Sequence, residues 1–240
     1  MGGRRRIALY GGTFDPVHVG HAAVARGLLE LFALDEVLFV PAYVAPHKRD
    51  RRVSPPLDRF AMLALATQGE PGMRVARDEL EAPERPYTVE TLAHFAAKLG
   101  PSVRPFFVMG ADSWEEITTW REWERVLTMC DHLVVTRPGY ELGRSHVTEE
   151  IRGRIVDARG ASRELVEAEL AKAAGPRVYL TDVARVDLAA TDVRRAAASR
   201  RAGALEGLVA PSVAEYISKY GLYVEENGAE FSDAGIKGTH

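Results

Sequence analysis

Short apolar runs at 7–10, 36–41, 74–77, 104–109, 132–136 and 177–180 alternate along the chain with stretches of helical spacing at 20–32, 56–67, 88–99, 120–128 and 148–174. That alternation leaves little choice of fold. Runs this short suit strands buried on both faces, and each helical stretch then serves as the right-handed crossover to the next parallel strand. The expected class is α/β, with a Rossmann-like, doubly wound, mostly parallel sheet. In such sheets ligands bind beyond the carboxyl ends of the strands, where the strand order reverses. Residues of unusual chemistry just after a strand therefore matter most.

After the last strand, 191–202 and 211–220 read as two helices, a C-terminal helical part. The charged, alanine-rich segment 139–175, with Ile151, Ile155, Leu165 and Leu170 as its apolar positions, reads as an inserted helical pair on the flank of the sheet. Residues 1–224 form one domain on this reading. The polar, glycine-rich stretch 225–240 has the composition of a disordered tail.

The first strand leads into Gly11-Gly12-Thr13-Phe14-Asp15-Pro16-Val17-His18-Val19-Gly20-His21. The spacing predicts strand, glycine turn and helix start. His18 and His21, at i and i+3, share a helix face and can point at one ligand. A helix start offers free N–H groups and the positive end of its dipole, and glycines at 11 and 12 let the backbone approach an anion closely. The run suits a phosphate cradle lined by imidazoles. A transition metal is the competing ligand, but it needs a third or fourth donor, for which Asp15 is the nearest candidate. A third reading makes both histidines ordinary helix-face residues.

The formal net charge of −3 gives no general attraction for nucleic acid, and no apolar run is long enough to span a bilayer. The basic residues 1–6 lead into a short strand, not the apolar core of a signal peptide. A single cysteine, Cys130, excludes an internal disulfide and fits a reducing cytoplasm. Any polyanion site must concentrate positive charge locally. Pro41 and Pro46 hold the segment after the second strand extended, placing Lys48 near the histidine pair as a mobile point charge, although a solvated loop lysine is an equal reading. Arg137, ending the strand at 132–136, offers forked donors suited to phosphate. Thr88 and Asp112 are each placed to cap a helix. Trp120 and Trp123, at i and i+3, read as packing. Thr191 and Arg194 share one face of a helix start.

The run from Gly11 to His21 resembles the signature of nucleotidyltransferases that join a nucleoside monophosphate to a second phosphate compound. Further blocks follow in the family's order, from Ile7 to about Tyr223: Pro-x-x-x-x-Pro-His-Lys at 41–48, Tyr-Thr-x-x-Thr-Leu at 87–92, Thr-x-Trp at 118–120, and Thr191 with Arg194. Together they resemble the bacterial nicotinate-nucleotide adenylyltransferases. The resemblance implies adenylyl transfer from ATP to nicotinate mononucleotide, giving nicotinate adenine dinucleotide and pyrophosphate in NAD biosynthesis. It implies that Gly11, Gly12, Thr13, Phe14, His18, His21, Gly110, Asp112, Arg137, Thr191 and Arg194 bind ATP, with His18, His21 and Arg194 catalytic. Asp15, Lys48, Tyr87, Thr88 and Trp120 would bind the mononucleotide, Trp120 by stacking on the nicotinate ring. Mg²⁺ would arrive with ATP, held by phosphate oxygens and water. The chain departs from the pattern at Ala189, where a serine is usual, and at Ala190, where a second is common. Nicotinamide mononucleotide, alone or alongside nicotinate, is the nearest alternative acceptor, and phosphopantetheine a more distant one. A nucleotide-binding regulator without catalysis is the reading from another class. The sequence leaves self-association into a homo-oligomer open.

Overall fold

The computed structural model describes residues 4–43, 53–136, 142–183, 186 and 188–224. Among them a seven-stranded sheet runs in the order β3-β2-β1-β4-β5-β7-β6, and every pairing is parallel. The strands are β1 (Arg5–Gly12), β2 (Glu36–Pro41), β3 (Met73–Val75), β4 (Val103–Gly110), β5 (Asp131–Val135), β6 (Ile155–Asp157) and β7 (Val178–Thr181). Order reverses between β1 and β4, the position at whose carboxyl edge sheets of this kind bind their ligands.

Alternation along the central strands separates two cores. Ala8, Phe39, Phe106 and Val108 face one side, where α1 (Val19–Leu31), α2 (Pro56–Thr67), α7 (Arg163–Lys172), α8 (Ala190–Ala198) and α9 (Pro211–Tyr220) pack. Leu9, Val40, Phe107 and Met109 face the other, under α3 (Thr88–Leu99), α4 (Ala111–Glu115), α5 (Trp123–Met129) and α6 (Glu149–Arg152). Neighbouring residues Phe106 and Phe107 thus anchor opposite layers, each contributing about 2 kcal/mol of apolar burial.

Three expectations shift. Gly11 and Gly12 are not a turn: they extend β1 and pair with Val40 and Pro41. Helix α5 begins at Trp123, not 120, because Glu122 takes a left-handed conformation (φ 52°) that breaks the run. The segment 139–175 is not a helical pair alone, since Ile155–Asp157 forms β6, paired with β7 at the edge of the sheet. Among the described residues no helix is long and apolar enough to cross a membrane.

Candidate active site at the carboxyl edge of the sheet

The crest of the sheet is made of Gly11 and Gly12, and only the second lacks room for a side chain. A methyl at Gly12 would stand 2.9 Å from the ring of Phe14, whereas one at Gly11 would make ordinary contact with Phe107 at 3.4 Å. Phe14 folds back at φ 50°, a conformation costing a side chain about 1–2 kcal/mol. Its ring is compensated by packing edge-on to Tyr10 and Phe39, at 5.5 and 5.4 Å.

The histidine pair meets, but not by sharing a helix face. His18 is the extended N-cap of α1 (φ −138°) and His21 lies in the first turn. The His18 backbone N–H donates to His21 Nδ1 at 3.2 Å, and the two rings lie 3.7 Å apart with a tilt of 33°. Accepting at Nδ1 leaves the proton of a neutral His21 on Nε2. Burial pushes His18 down to about 4, opposed by the nearby Asp192 carboxylate. Burial, then the His18 neighbour, holds His21 well below the usual histidine range. Both imidazoles are therefore neutral at pH 7. Gly20 makes room for His18, since a methyl there would come 3.0 Å from its Nδ1.

Helix α8 brings its N-terminus against the same loop. Ala189 is its N-cap, and its N–H donates to Asp192 Oδ2 at 3.0 Å. Arg194 donates from Nη1 to the Asp15 carbonyl at 2.8 Å and from Nη2 to Thr191 Oγ1 at 3.3 Å. Two helix starts, those of α1 and α8, thus converge on the crest.

Asp15 differs from expectation. Its carboxylate is only 5% exposed and accepts from the Tyr223 hydroxyl at 2.6 Å and the Ser54 N–H at 3.1 Å. The group braces the loop from within instead of standing open to a ligand. Arg59 on α2, fully buried, donates from Nη1 to the Thr13 carbonyl at 2.8 Å and from Nε to the Ser54 carbonyl at 3.1 Å. Sequence reasoning missed Ser54, Arg59 and Tyr223. Arg59 left a signal: it shares the buried stripe of α2 with Met62 and Leu63, where a cation needs a specific partner.

Across the crest, Tyr87, not Thr88, is the N-cap of α3, and Thr88 is its first helical residue. Tyr87 keeps 40% of its surface exposed, with the Arg121 guanidinium 4.6 Å over its ring. Trp120 follows a 3-10 turn at Ile117–Thr119 and stands edge-on to Phe107 at 6.4 Å. Phe107, touching the Gly11 position, links this wall to the crest. Beneath it Thr91 donates to Glu79 at 2.6 Å, and burial raises the Glu79 carboxyl above its usual range. Gly110, not Asp112, caps α4, and a methyl on Gly110 would meet nothing within 4 Å. Asp112 is exposed in the first turn of α4. Lys48 and Arg137 lie outside the described residues. Among the described residues no group of three or more histidine, cysteine, aspartate or glutamate side chains gathers to hold a metal.

Residues 9–196 match the family model described as cytidylyltransferase-like. A Symbiobacterium thermophilum protein named "probable nicotinate-nucleotide adenylyltransferase" is 38% identical over 219 residues, which is 91% of this chain and 95% of its own. A Corynebacterium jeikeium protein of the same name is 36% identical over 214 residues, 89% of this chain and 98% of its own. Among solved structures, Plasmodium falciparum nicotinic acid mononucleotide adenylyltransferase complexed with NaAD aligns with a TM-score of 0.65 at 18% identity, over 91% of this chain and 97% of that one. At that identity the likeness is one of fold.

Proposed function

The chain belongs to the nicotinate-nucleotide adenylyltransferase family of cytidylyltransferase-like proteins, and on that premise we propose that it transfers the adenylyl group of ATP to nicotinate mononucleotide in NAD biosynthesis, in the cytoplasm. A phosphate oxygen of the mononucleotide attacks the α-phosphorus of ATP in line. The new P–O bond forms as the bond to the β-phosphate's bridging oxygen breaks, and pyrophosphate leaves. No covalent intermediate on the protein is required. Catalysis then rests on positioning and on stabilising the charge of the transferring group.

One observation carries this reading: a neutral, stacked imidazole pair at the convergence of two helix starts. The His21 Nε2–H is a fixed donor, and His18 and the N-termini of α1 and α8 add donors and positive dipole ends. Thr13, Thr191 and Arg194 complete the phosphate wall, with Gly11, Gly12 and Gly110 leaving the nucleotide room. Lys48 joins it on the strength of the family motif, and Arg137 as a forked donor placed by sequence just after β5. Mg²⁺ enters as part of the substrate. Of the carboxylates beside the histidines, Asp15 is occupied by Tyr223 and Ser54, and Asp192 holds the Ala189 N–H. That donor set suits an ion kept by phosphate oxygens and water.

On the opposite wall Trp120 stacks on the pyridine, and the N–H groups at the start of α3, beside Tyr87 and Thr88, receive its carboxylate. A helix start favours an anion over a neutral carboxamide, so nicotinate is preferred to nicotinamide. The test is pyrophosphate release from ATP offered nicotinate mononucleotide, nicotinamide mononucleotide and phosphopantetheine in parallel. Release highest with the nicotinate compound is expected. Equal or higher release with another acceptor would refute the substrate assignment, and none with any acceptor would leave a nucleotide-binding regulator.

A further inference from the structure

The two residues that hold the signature loop from behind come from far apart in the chain. Tyr223 stands just past α9 and outside the residues matched by the family model, yet its hydroxyl donates to Asp15. Arg59 reaches the same loop from α2 through the Thr13 carbonyl and ties down Ser54, whose N–H holds the other Asp15 oxygen. Arg194 takes the Asp15 carbonyl. Asp15 and Thr13 are thus engaged from three segments: the start of α2, which supplies Ser54 and Arg59, helix α8 and the stretch just past α9. The residues between these anchors and the histidines, 16 and 17, are buried. A displacement at Asp15 would be passed on to His18.

We propose that Tyr223 and Arg59 are positioning residues, a clamp through which α2 and the segment just past α9 set the stance of Thr13 and the histidine pair for adenylyl transfer. The inference rests on the function proposed above. The charge pattern agrees with it: the Arg59 guanidinium, pushed down by burial, has Asp15 as the largest of the neighbours that favour its charged form. Its Nη2 is buried without a hydrogen-bond partner among the described residues. A cation in an apolar helix stripe, held on two backbone carbonyls, fixes geometry better than it adds stability. The hydroxyl of Tyr223 is likewise separable from its ring, which supplies the packing.

Tyr223→Phe keeps the ring and removes only the donor. The expected result is a folded protein whose melting temperature falls by no more than several degrees, the cost of one unpaired buried carboxylate oxygen. Its kcat should be lower by about 10-fold or more, since misplacement on the order of 1 Å can cost ~100-fold. KM for both substrates should stay within about 3-fold. Because the hydroxyl acts through Asp15, the same substitution made in an Asp15→Ala background should change kcat little further. Amide hydrogen exchange at 13–18 should quicken in Tyr223→Phe, a readout that needs no turnover. Wild-type kcat in Tyr223→Phe, an undiminished loss in the Asp15→Ala background, or unchanged exchange at 13–18 would each overturn the clamp. Failure of the wild type to release pyrophosphate would instead count against the functional reading, and the exchange measurement would still decide the clamp.

Discussion

The two walls of the site are built differently. On the α1 and α8 side the polar groups are fixed by the protein itself: His21 by the His18 backbone, Arg194 by Asp15 and Thr191, and the loop by Tyr223 and Arg59. On the α3 and α5 side the surfaces are aromatic: the Tyr87 ring lies under the Arg121 guanidinium with 40% of the residue exposed, and the Trp120 ring stands edge-on to Phe107. A wall fixed before the substrate arrives stabilises charge without reorganising during reaction. A wall of aromatic faces offers a bound ring stacking area and so supplies affinity. The phosphate wall should therefore govern kcat, and the pyridine wall KM.

The largest effect should come from the fixed wall. His18→Ala is expected to lower kcat at least ~100-fold, the scale of losing one transition-state donor, with little change in melting temperature. Near-normal turnover would remove His18 from the mechanism. Trp120→Ala should raise KM for nicotinate mononucleotide about 10-fold, since a stacked aromatic contact contributes roughly 0.5–1.5 kcal/mol, while kcat holds. A loss confined to kcat would erase the distinction between the walls.

The difference also explains what the sequence made legible. Periodicity predicts a mostly parallel sheet, though not its strand order, because strands buried on both faces and amphipathic crossovers leave a pattern in any one stretch of chain. The histidine pair and Thr191 with Arg194 were visible for the same reason: each lies within a few residues of its partner. What escaped depends on contacts between distant segments. Nothing near Asp15 announces Tyr223, 208 residues away, and the extended conformation of His18 places it on Asp15's loop, off the helix face its spacing suggests. Strand β6 escaped because its three residues sit within a charged stretch and gain their pairing from β7 alone.

Acid should lower stability through the histidines that are buried uncharged. His18 and the fully buried His132 are both pushed down to about 4 by burial, from an ordinary 6.5. Between these values the unfolded chain binds protons that the folded chain refuses, so stability falls as pH drops from 6.5 towards 4 and is level above it. At pH 5 the loss is on the order of 2 kcal/mol per histidine, readable as a lower melting temperature. An unchanged melting temperature between pH 7 and 5 would contradict the burial of His18 and His132 in their neutral forms. The smallest effect belongs to Ala189→Ser, which supplies α8 with a side-chain cap. It should add about 0.5–1 kcal/mol of stability and at most a few-fold in kcat/KM for ATP. A large gain in turnover would mean that the phosphate wall is incomplete as it stands.

The contrast between the walls is tested most directly by the crystal structure of the protein with a non-hydrolysable ATP analogue and nicotinate mononucleotide bound together. The account expects the His18–His21 stack and the Asp15–Tyr223 bond to persist unchanged, while Trp120 and the Tyr87–Arg121 contact shift to receive the pyridine ring. A signature loop that rearranges around the phosphates, with the aromatic wall unmoved, would contradict it.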